Sequence, residues 1–223
     1  MNTLNKENKK ENLIRIIKLL KQAYPDATCS LNFSTPFELV VAVILSAQCT
    51  DERVNKTTPF IFKKYKTVQD FANIDISELE DLIHPCGFYK NKAKNIKACA
   101  KKILSDYNGI VPKTMEELLQ LPGIGRKSAN VILLEAYNIP SGIAVDTHAK
   151  RISNRIGLSN NSDPTKIEID LINLVPQNYL KDINHLFVWH GRNTCMSRKP
   201  MCDKCVISSL CKNYIKNNTL NNN

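Results

Sequence analysis

Four of the eight cysteines crowd into the last part of the chain and could together hold a metal centre. They are separated by six, two and five residues: Cys195, Cys202, Cys205 and Cys211. Four thiolates can bind either Zn²⁺ or a [4Fe–4S] cluster, so the residue types alone do not decide between the two. Structural zinc sites often use two tight cysteine pairs, whereas only one pair is tight here and no nearby histidine substitutes for a cysteine. The spacing therefore favours iron over zinc.

A glycine-rich turn at residues 122–125, with the sequence Pro-Gly-Ile-Gly, could bind a phosphate. It precedes a helix predicted at about 126–137. Gly123 and Gly125 allow a tight turn and a close approach of the backbone to a ligand. The first N–H groups of the following helix point outward at the positive end of the helix dipole, which favours an anion such as a DNA phosphate. Taken alone, the turn is equally typical of a plain connector between two helices.

Helical patterns dominate the rest of the chain, and no alternating strand pattern is bounded by hairpin turns. An apolar stripe at helical spacing runs from Leu13 to Leu20, and residues 35–38 (Thr-Pro-Phe-Glu) have the form of a capping box that opens an apolar helix. The capping pattern recurs at 77–80 and 114–117. Further helices are predicted at 90–107, 148–156, 164–174 and 179–192. The Asn-rich residues 212–223 are expected to fray. We predict an all-α chain of about ten helices.

The charge balance indicates a polyanionic partner. Lysine and arginine exceed aspartate and glutamate by 10, which suits nucleic acid or an anionic membrane face, although many basic proteins bind neither. The N-terminal residues are polar, without the apolar core of a secretory signal. The longest wholly apolar run, Leu39 to Leu45, is too short to cross a bilayer. We therefore expect an intracellular, cytoplasmic protein without a membrane partner.

Residues 121–133, LPGIGRKSANVIL, closely resemble the helix–hairpin–helix of the endonuclease III family of DNA glycosylases. The segments LSAQCTD at 45–51 and AVDTH at 144–148, and the four cysteines, follow in the order and spacing of that family. The resemblance extends over about 12–212. It implies a helix–hairpin–helix DNA glycosylase fold with two helical domains and a DNA cleft between them. The expected domains are a six-helix barrel at 29–139, containing the hairpin, and an iron–sulfur cluster domain formed by 1–28 and 140–223.

The resemblance implies two catalytic residues, Lys127 and Asp146, which would face each other across that cleft. The family's hairpin lysine attacks C1′ of the damaged nucleotide, and it matches Lys127. A free lysine is almost entirely protonated at neutral pH, and the adjacent Arg126 and the positive helix end would both disfavour the ammonium form. Without the resemblance, Lys127 is more simply a lysine that contacts phosphate. Asp146 occupies a helix N-cap position, which alone explains an aspartate, and it matches the family's essential aspartate.

The resemblance also implies residues that contact DNA. Gln48 and Phe88 match the loops that fill the gap left by a flipped nucleotide, although the family commonly has leucine at the position of Phe88. Packing in the core is the commoner role of an isolated aromatic residue. The other expected contacts are Gly123, Gly125, Arg126, Arg151, Arg198 and Lys199. Basic residues near these positions could line the DNA backbone or form a solvated face: Lys90, Lys92, Lys94 and Arg155.

The implied activity is that of a bifunctional DNA glycosylase and abasic-site lyase in base excision repair. It would remove oxidised pyrimidines and cleave the strand 3′ to the abasic site by β-elimination through a lysine Schiff base. The implied cofactor is a [4Fe–4S] cluster on the four cysteines. The implied partner is double-stranded DNA with damaged pyrimidines or abasic sites, bound by a monomer and, in a bacterium, associated with the nucleoid. The alternatives are a non-catalytic DNA-binding module that holds zinc, and a monofunctional glycosylase in which water is the nucleophile.

Overall fold

The computed structural model describes residues 3–221, and every regular element in that range is helical. The α-helices are α1 (Thr3–Ala23), α2 (Pro36–Ser46), α3 (Asp51–Lys64), α4 (Val68–Asn73), α5 (Ile76–Ile83), α6 (Tyr89–Tyr107), α7 (Met115–Leu118), α8 (Arg126–Tyr137), α9 (Thr147–Ile156), α10 (Pro164–Ile172), α11 (Leu180–Asn193) and α12 (Lys212–Asn221). Short 3₁₀ helices lie at His84–Cys86, Gln177–Tyr179, Cys202–Lys204 and Ser208–Leu210. The prediction of an all-α chain is confirmed. No helix in the described range is long and apolar enough to cross a membrane.

The chain divides into two compact units. Cys29–Ser141 forms one of them, which contains α2 to α8 and is called the hairpin unit. The second unit combines the chain before Cys29 with the chain from Gly142 onward. It contains α1 and α9 to α12 and is called the cysteine unit. Each unit has its own buried apolar cluster.

The core of the hairpin unit is organised around α2. This helix is apolar on all sides, and its residues from Leu39 to Leu45 are all buried, as expected for a helix enclosed by others. The Thr35 hydroxyl accepts the Glu38 N–H at 3.1 Å and so caps the helix. The Glu38 carboxylate accepts the N–H of Ser34 at 2.6 Å, one residue before the position that the capping box predicts.

The core of the cysteine unit forms around the predicted apolar stripe of α1. Leu13, Ile16, Ile17 and Leu20 are at most 1% exposed. They belong to the same buried cluster as Ile152 of α9 and residues of α10 and α11. This helix therefore shares one core with three helices that follow it by more than 100 residues in the sequence.

Three local predictions differ from the structure. Helix α5 begins at Ile76, because the carboxylate of Asp75 accepts the N–H groups of Ser77 and Glu78; Ser77 is not the cap. Helices α3 and α4 were not predicted, because α3 carries Pro59 inside it and α4 has only six residues. Residues 212–221 form α12, which packs near α9 instead of fraying; residues 222–223 lie outside the described part.

Candidate nucleic-acid interface and cysteine pocket

The hairpin turn is fixed by two buried side chains and one glycine. Leu121 and Ile124 are 2% and 6% exposed and join the core of the hairpin unit. Between them, Gly123 has φ +82°, which lies in the left-handed region. A Cβ at this position would also lie 3.0 Å from the Cβ of Asn95 in α6. Both the backbone conformation and the close approach to α6 therefore require glycine here.

The helix that follows the turn starts without a side-chain cap. Gly125 is its N-cap residue and provides no side chain to accept an N–H, unlike Thr35 and Asp146 at other helix starts. The first N–H groups of a helix have no partner within the helix. Arg126 and Lys127 stand exposed in this first turn. The backbone, the helix dipole and two cations thus favour an anion at one place.

Gln48 and Phe88 lie on two different loops but line the same pocket. Both are exposed non-glycine residues with positive φ, +53° and +49°. Such conformations cost about 1–3 kcal/mol each and persist only where the surroundings enforce them. Gly123 and Asn95 line this pocket as well. The structure therefore brings together three of the residues predicted to contact DNA.

Lys92 does not belong to an exposed basic face. The prediction that it could contact the DNA backbone was therefore wrong. The residue is only 4% exposed, and its Nζ donates to the carbonyl oxygens of Leu45 at 2.8 Å and Cys86 at 2.9 Å. Burial lowers the pKa of this lysine, while the neighbouring Cys49 and Cys86 thiols act in the opposite direction. Lys90 and Lys94, which flank it in α6, are exposed.

A signal for this role was present in the sequence. Lys92 occupies the apolar stripe of α6 in register with Ile96, Cys99 and Ile103, all of which are fully buried. A lysine at a core position must place its ammonium on buried acceptors, and the unpaired main-chain carbonyls at the ends of helices can serve as such acceptors.

Asp146 is the N-cap of α9, as predicted. Its Oδ1 accepts the N–H of Ala149 at 2.7 Å. The preceding residues are buried, and the carbonyl of Ala144 accepts a hydrogen bond from the side chain of Asn184 in α11. The carboxylate is thus held at a defined place at the edge of the core of the cysteine unit, and it is only half-buried.

The four clustered cysteines line one small pocket of the cysteine unit. Burial raises the pKa values of Cys202 and Cys205, and the nearby thiols of the set raise them further. In the described part of the chain, no group of three or more His, Cys, Asp or Glu side chains is arranged as a metal-ion site. The shared pocket and the soft sulfur donors fit a polynuclear cluster that the thiols would surround.

A histidine and a tyrosine that the sequence analysis did not identify adjoin the cysteine pocket. His190 Nε2 lies 3.7 Å from Cys205 Sγ, and its Nδ1 lies 3.1 Å from the hydroxyl of Tyr24. Burial, followed by the charge of Arg151, lowers the pKa of His190 to about 4. The imidazole is therefore neutral at physiological pH and can donate one ring N–H.

Two arginines of α9 support the loop that starts at the first clustered cysteine. Arg155 Nη1 donates to the carbonyl of Met196 at 2.7 Å, and its Nη2 donates to that of Ser197 at 3.0 Å. Arg151 Nε donates to Cys195 O, and its Nη2 to Gly191 O, both at 3.0 Å. These bonds give Arg151 a structural role inside the unit, and its predicted DNA contact stays a prediction.

The next two residues of this loop face solvent. Arg198 and Lys199 are exposed, and Lys199 has φ +50°. The loop therefore holds its carbonyls against Arg155 and presents its two cationic side chains outward.

Comparisons with known proteins agree with this arrangement. The family model described as the HhH-GPD superfamily of base excision DNA repair proteins matches residues 41–177. Endonuclease III of Synechocystis sp. is 50% identical over 92% of this chain and 93% of its own length. This chain belongs to the endonuclease III family.

Solved structures of the family have the same fold. A non-covalent endonuclease III–DNA complex superposes with a TM-score of 0.88 at 37% identity, over 98% of this chain and 100% of that one. A trapped covalent endonuclease III–DNA intermediate has a TM-score of 0.88 at 38% identity, over 97% and 99%. The helix–hairpin–helix glycosylase fold is thereby confirmed. The protein is an enzyme of base excision repair, a DNA glycosylase with abasic-site lyase activity.

Proposed function

We propose that the enzyme removes oxidised pyrimidines from duplex DNA and cleaves the strand 3′ to the resulting abasic site by β-elimination, with Lys127 as the nucleophile. The observation that carries this proposal is the exposed amine of Lys127 in the first turn of α8, beside an uncapped helix N-terminus. The trapped covalent intermediate of a relative supports an attack by the protein itself.

The chemistry assigned to Lys127 is a displacement followed by an elimination. Its neutral amine attacks C1′ of the sugar, the bond from C1′ to the base breaks, and the base leaves with the bonding electrons and gains a proton. The nitrogen then loses a proton and the sugar ring opens to give a Schiff base at C1′. Removal of a proton from C2′ expels the 3′ phosphate, and hydrolysis of the Schiff base frees the lysine.

Asp146 is assigned the stabilisation of positive charge on the sugar while the base departs. A carboxylate held by a helix N-cap keeps its position during the reaction, so little reorganisation is needed. Its second role is to accept and return protons during the elimination. The capping bond to Ala149 supports both roles, because it fixes one oxygen and leaves the other for chemistry.

Gln48 and Phe88 are assigned to the gap that a flipped nucleotide leaves in the base stack. Their joint pocket and their enforced backbone conformations support this role. Gly123, Gly125 and Arg126 would bind a phosphate at the hairpin. In the cysteine unit, Arg198 and Lys199 would bind the DNA backbone.

We assign a [4Fe–4S] cluster to the four cysteines of the pocket, where it would be structural. His190 fits this assignment, because a neutral imidazole N–H near Cys205 Sγ would stabilise a thiolate ligand. We also assign the two expected domains, at 29–139 and at 1–28 with 140–223, and a monomeric enzyme.

Product analysis tests this proposal directly. Duplex DNA with one thymine glycol is incubated with the purified enzyme, and both the released base and the nicked strand are quantified. We expect base release and strand cleavage at similar rates, with an unsaturated sugar fragment on the 3′ end. Base release that leaves an intact abasic strand would contradict the lysine mechanism and indicate attack by water.

Metal analysis tests the cofactor. We expect a yellow-brown protein with about four irons per chain, and a Cys202→Ser variant with much less iron. A colourless wild-type protein with one zinc would contradict the assignment.

A further inference from the structure

The buried ammonium of Lys92 occupies a position from which it can control both loops of the pocket lined by Gln48 and Phe88. One acceptor, Leu45 O, lies in the last turn of α2, three residues before Gln48. The other, Cys86 O, ends the 3₁₀ helix His84–Cys86, two residues before Phe88. One side chain therefore binds carbonyls at the C-terminal ends of two helical segments, where the chain leaves each segment for one of the two loops.

The environment of α2 explains why a cation is required at this point. The last four carbonyls of a helix have no partner within it, and the negative end of the dipole favours a positive charge. Val43 O accepts the hydroxyl of Ser46, and Ser46 O accepts the N–H of Cys49. Leu45 O accepts the ammonium of Lys92, so this bond completes the end of the helix from outside it.

Lys92 is also tied directly to the loop of Phe88. Its own N–H donates to Phe88 O at 3.1 Å and closes the first turn of α6. Phe88 is the N-cap of α6 and provides no side-chain hydrogen bond to the helix. Lys92 therefore binds the backbone on both sides of Phe88. Its ammonium bonds Cys86 O before this residue, and its N–H bonds the carbonyl of Phe88 itself, so both bonds help to set the left-handed conformation.

We propose that Lys92 is a positioning residue for base flipping, which holds Gln48 and Phe88 at a fixed separation so that they enter the base stack together. The proposal rests on the roles assigned above to those two residues. Lys92 also lines the pocket of these residues, but its ammonium is buried and bonded to the two carbonyls, so we expect no direct bond from it to DNA. Its effect on catalysis must therefore pass entirely through the two loops.

Lys97 provides a matched control on the same helix. Its Nζ donates to the carbonyl of Ile74 at 2.6 Å, at the C-cap of α4, so Lys97→Met also removes a bond from a lysine to a helix end. Lys97 does not line the pocket of Gln48 and Phe88. Comparing the two variants therefore distinguishes a loss of stability, which both would show, from a loss of loop positioning, which only Lys92→Met would show.

The experiment compares two substrates under single-turnover conditions, at a temperature where melting curves show every variant folded. One is a duplex with thymine glycol, where a gap in the stack must be filled. The other is a single-stranded abasic oligonucleotide, trapped with borohydride, where no stack is present. We expect Lys92→Met to slow base release from the duplex at least tenfold, Lys97→Met to remain within twofold of wild type, and both to trap the single strand within twofold. If Lys92→Met does not fold, Lys92→Gln, which keeps one donor group, replaces it.

A background without the two side chains gives the decisive readout. In Gln48→Ala/Phe88→Ala enzyme, a residue that acts only through them has nothing to act on, so Lys92→Met should slow duplex base release by less than twofold further. A further tenfold loss in that background, equal effects of Lys92→Met and Lys97→Met on the duplex, or a parallel loss on the single strand would overturn the proposal. A wild-type enzyme that neither releases the base nor traps would instead contradict the proposed function itself.

Discussion

The pocket of the hairpin unit and the cysteine loop of the cysteine unit use an internal cation in the same way but for different purposes. In the first, the ammonium of Lys92 binds two carbonyls that belong to separate segments. In the second, the guanidinium of Arg155 binds the consecutive carbonyls of Met196 and Ser197 in one loop. A compact ammonium thus joins two loops to each other, whereas the planar fork of an arginine supports one loop along its length.

The two regions also differ in how much core stands behind these loops. The loops of Gln48 and Phe88 adjoin α2, which is almost wholly buried, and α6, which buries one face, so local packing supports them. Among residues 195–211 only Ile207 is buried, and the segment contains just two short 3₁₀ helices. The cysteine loop therefore depends on Arg155 and on whatever its thiols bind.

The comparison teaches that exposed and internal cations in this protein have separate tasks. Lys127, Arg198 and Lys199 are exposed and available to DNA, while Lys92 and Arg155 are committed to the backbone. The excess of positive charge is therefore larger than the number of cations that can contact phosphates, because some cations are bound to the protein backbone. Substituting residues from each class should separate loss of chemistry from loss of architecture.

The largest effect is expected for Lys127→Ala. Without the amine, no Schiff base can form, so strand cleavage should fall by at least about a thousandfold while the duplex is still bound. Single-turnover cleavage of an abasic duplex and a binding titration measure the two quantities. Lys101→Ala, which removes an exposed lysine of α6, is the control for charge. Cleavage that persists in Lys127→Ala would refute the assignment of the nucleophile.

Asp146→Asn should slow base release by about a hundredfold and hardly change stability, because asparagine caps a helix about as well as aspartate but carries no charge. Asp146→Ala should lose the same activity and also about 1 kcal/mol of unfolding free energy, since the bond to the Ala149 N–H disappears. Denaturant melts and base-release rates distinguish the two. If Asp146→Asn retained full activity, capping would be the whole role of this residue.

Arg155→Met should lower the unfolding free energy by about 2–3 kcal/mol, because the carbonyls of Met196 and Ser197 would lose their charged donor. Iron content should fall in parallel. Arg198→Met is the matched control in the same loop and should leave both quantities unchanged. Equal stability of the two variants would show that the loop does not need an internal cation.

The smallest effect is expected for the exposed pair. Arg198→Gln and Lys199→Gln should each weaken duplex binding a few-fold at low salt, with little dependence on the sequence of the DNA. The logarithm of the DNA-binding constant falls as the logarithm of the salt concentration rises. Each substitution should make this slope shallower by about one, since each removes one phosphate contact. Binding titrations at several salt concentrations measure this slope. An unchanged slope would place the pair away from the backbone of the DNA.

Much of the hairpin could be predicted from the sequence, because its signals are local. The turn at 122–125 and the caps Thr35 and Asp146 all depend on residues within four positions of one another. The stripe of α6 indicates that Lys92 is buried, but the distant carbonyls that Lys92 and Arg151 bind could not be predicted in this way. Leu45 O lies 47 residues from Lys92, and Cys195 O lies 44 residues from Arg151, so only the folded chain brings these pairs together.

The most direct test of the central claim is to locate the covalent bond. The enzyme is incubated with an abasic duplex, reduced with borohydride and digested, and the peptide that carries the nucleotide is sequenced by mass spectrometry. The account predicts a single adduct, on the amine of Lys127. An adduct on another lysine, such as the exposed Lys90 or Lys94, or no adduct from an enzyme that still nicks the strand, would contradict it.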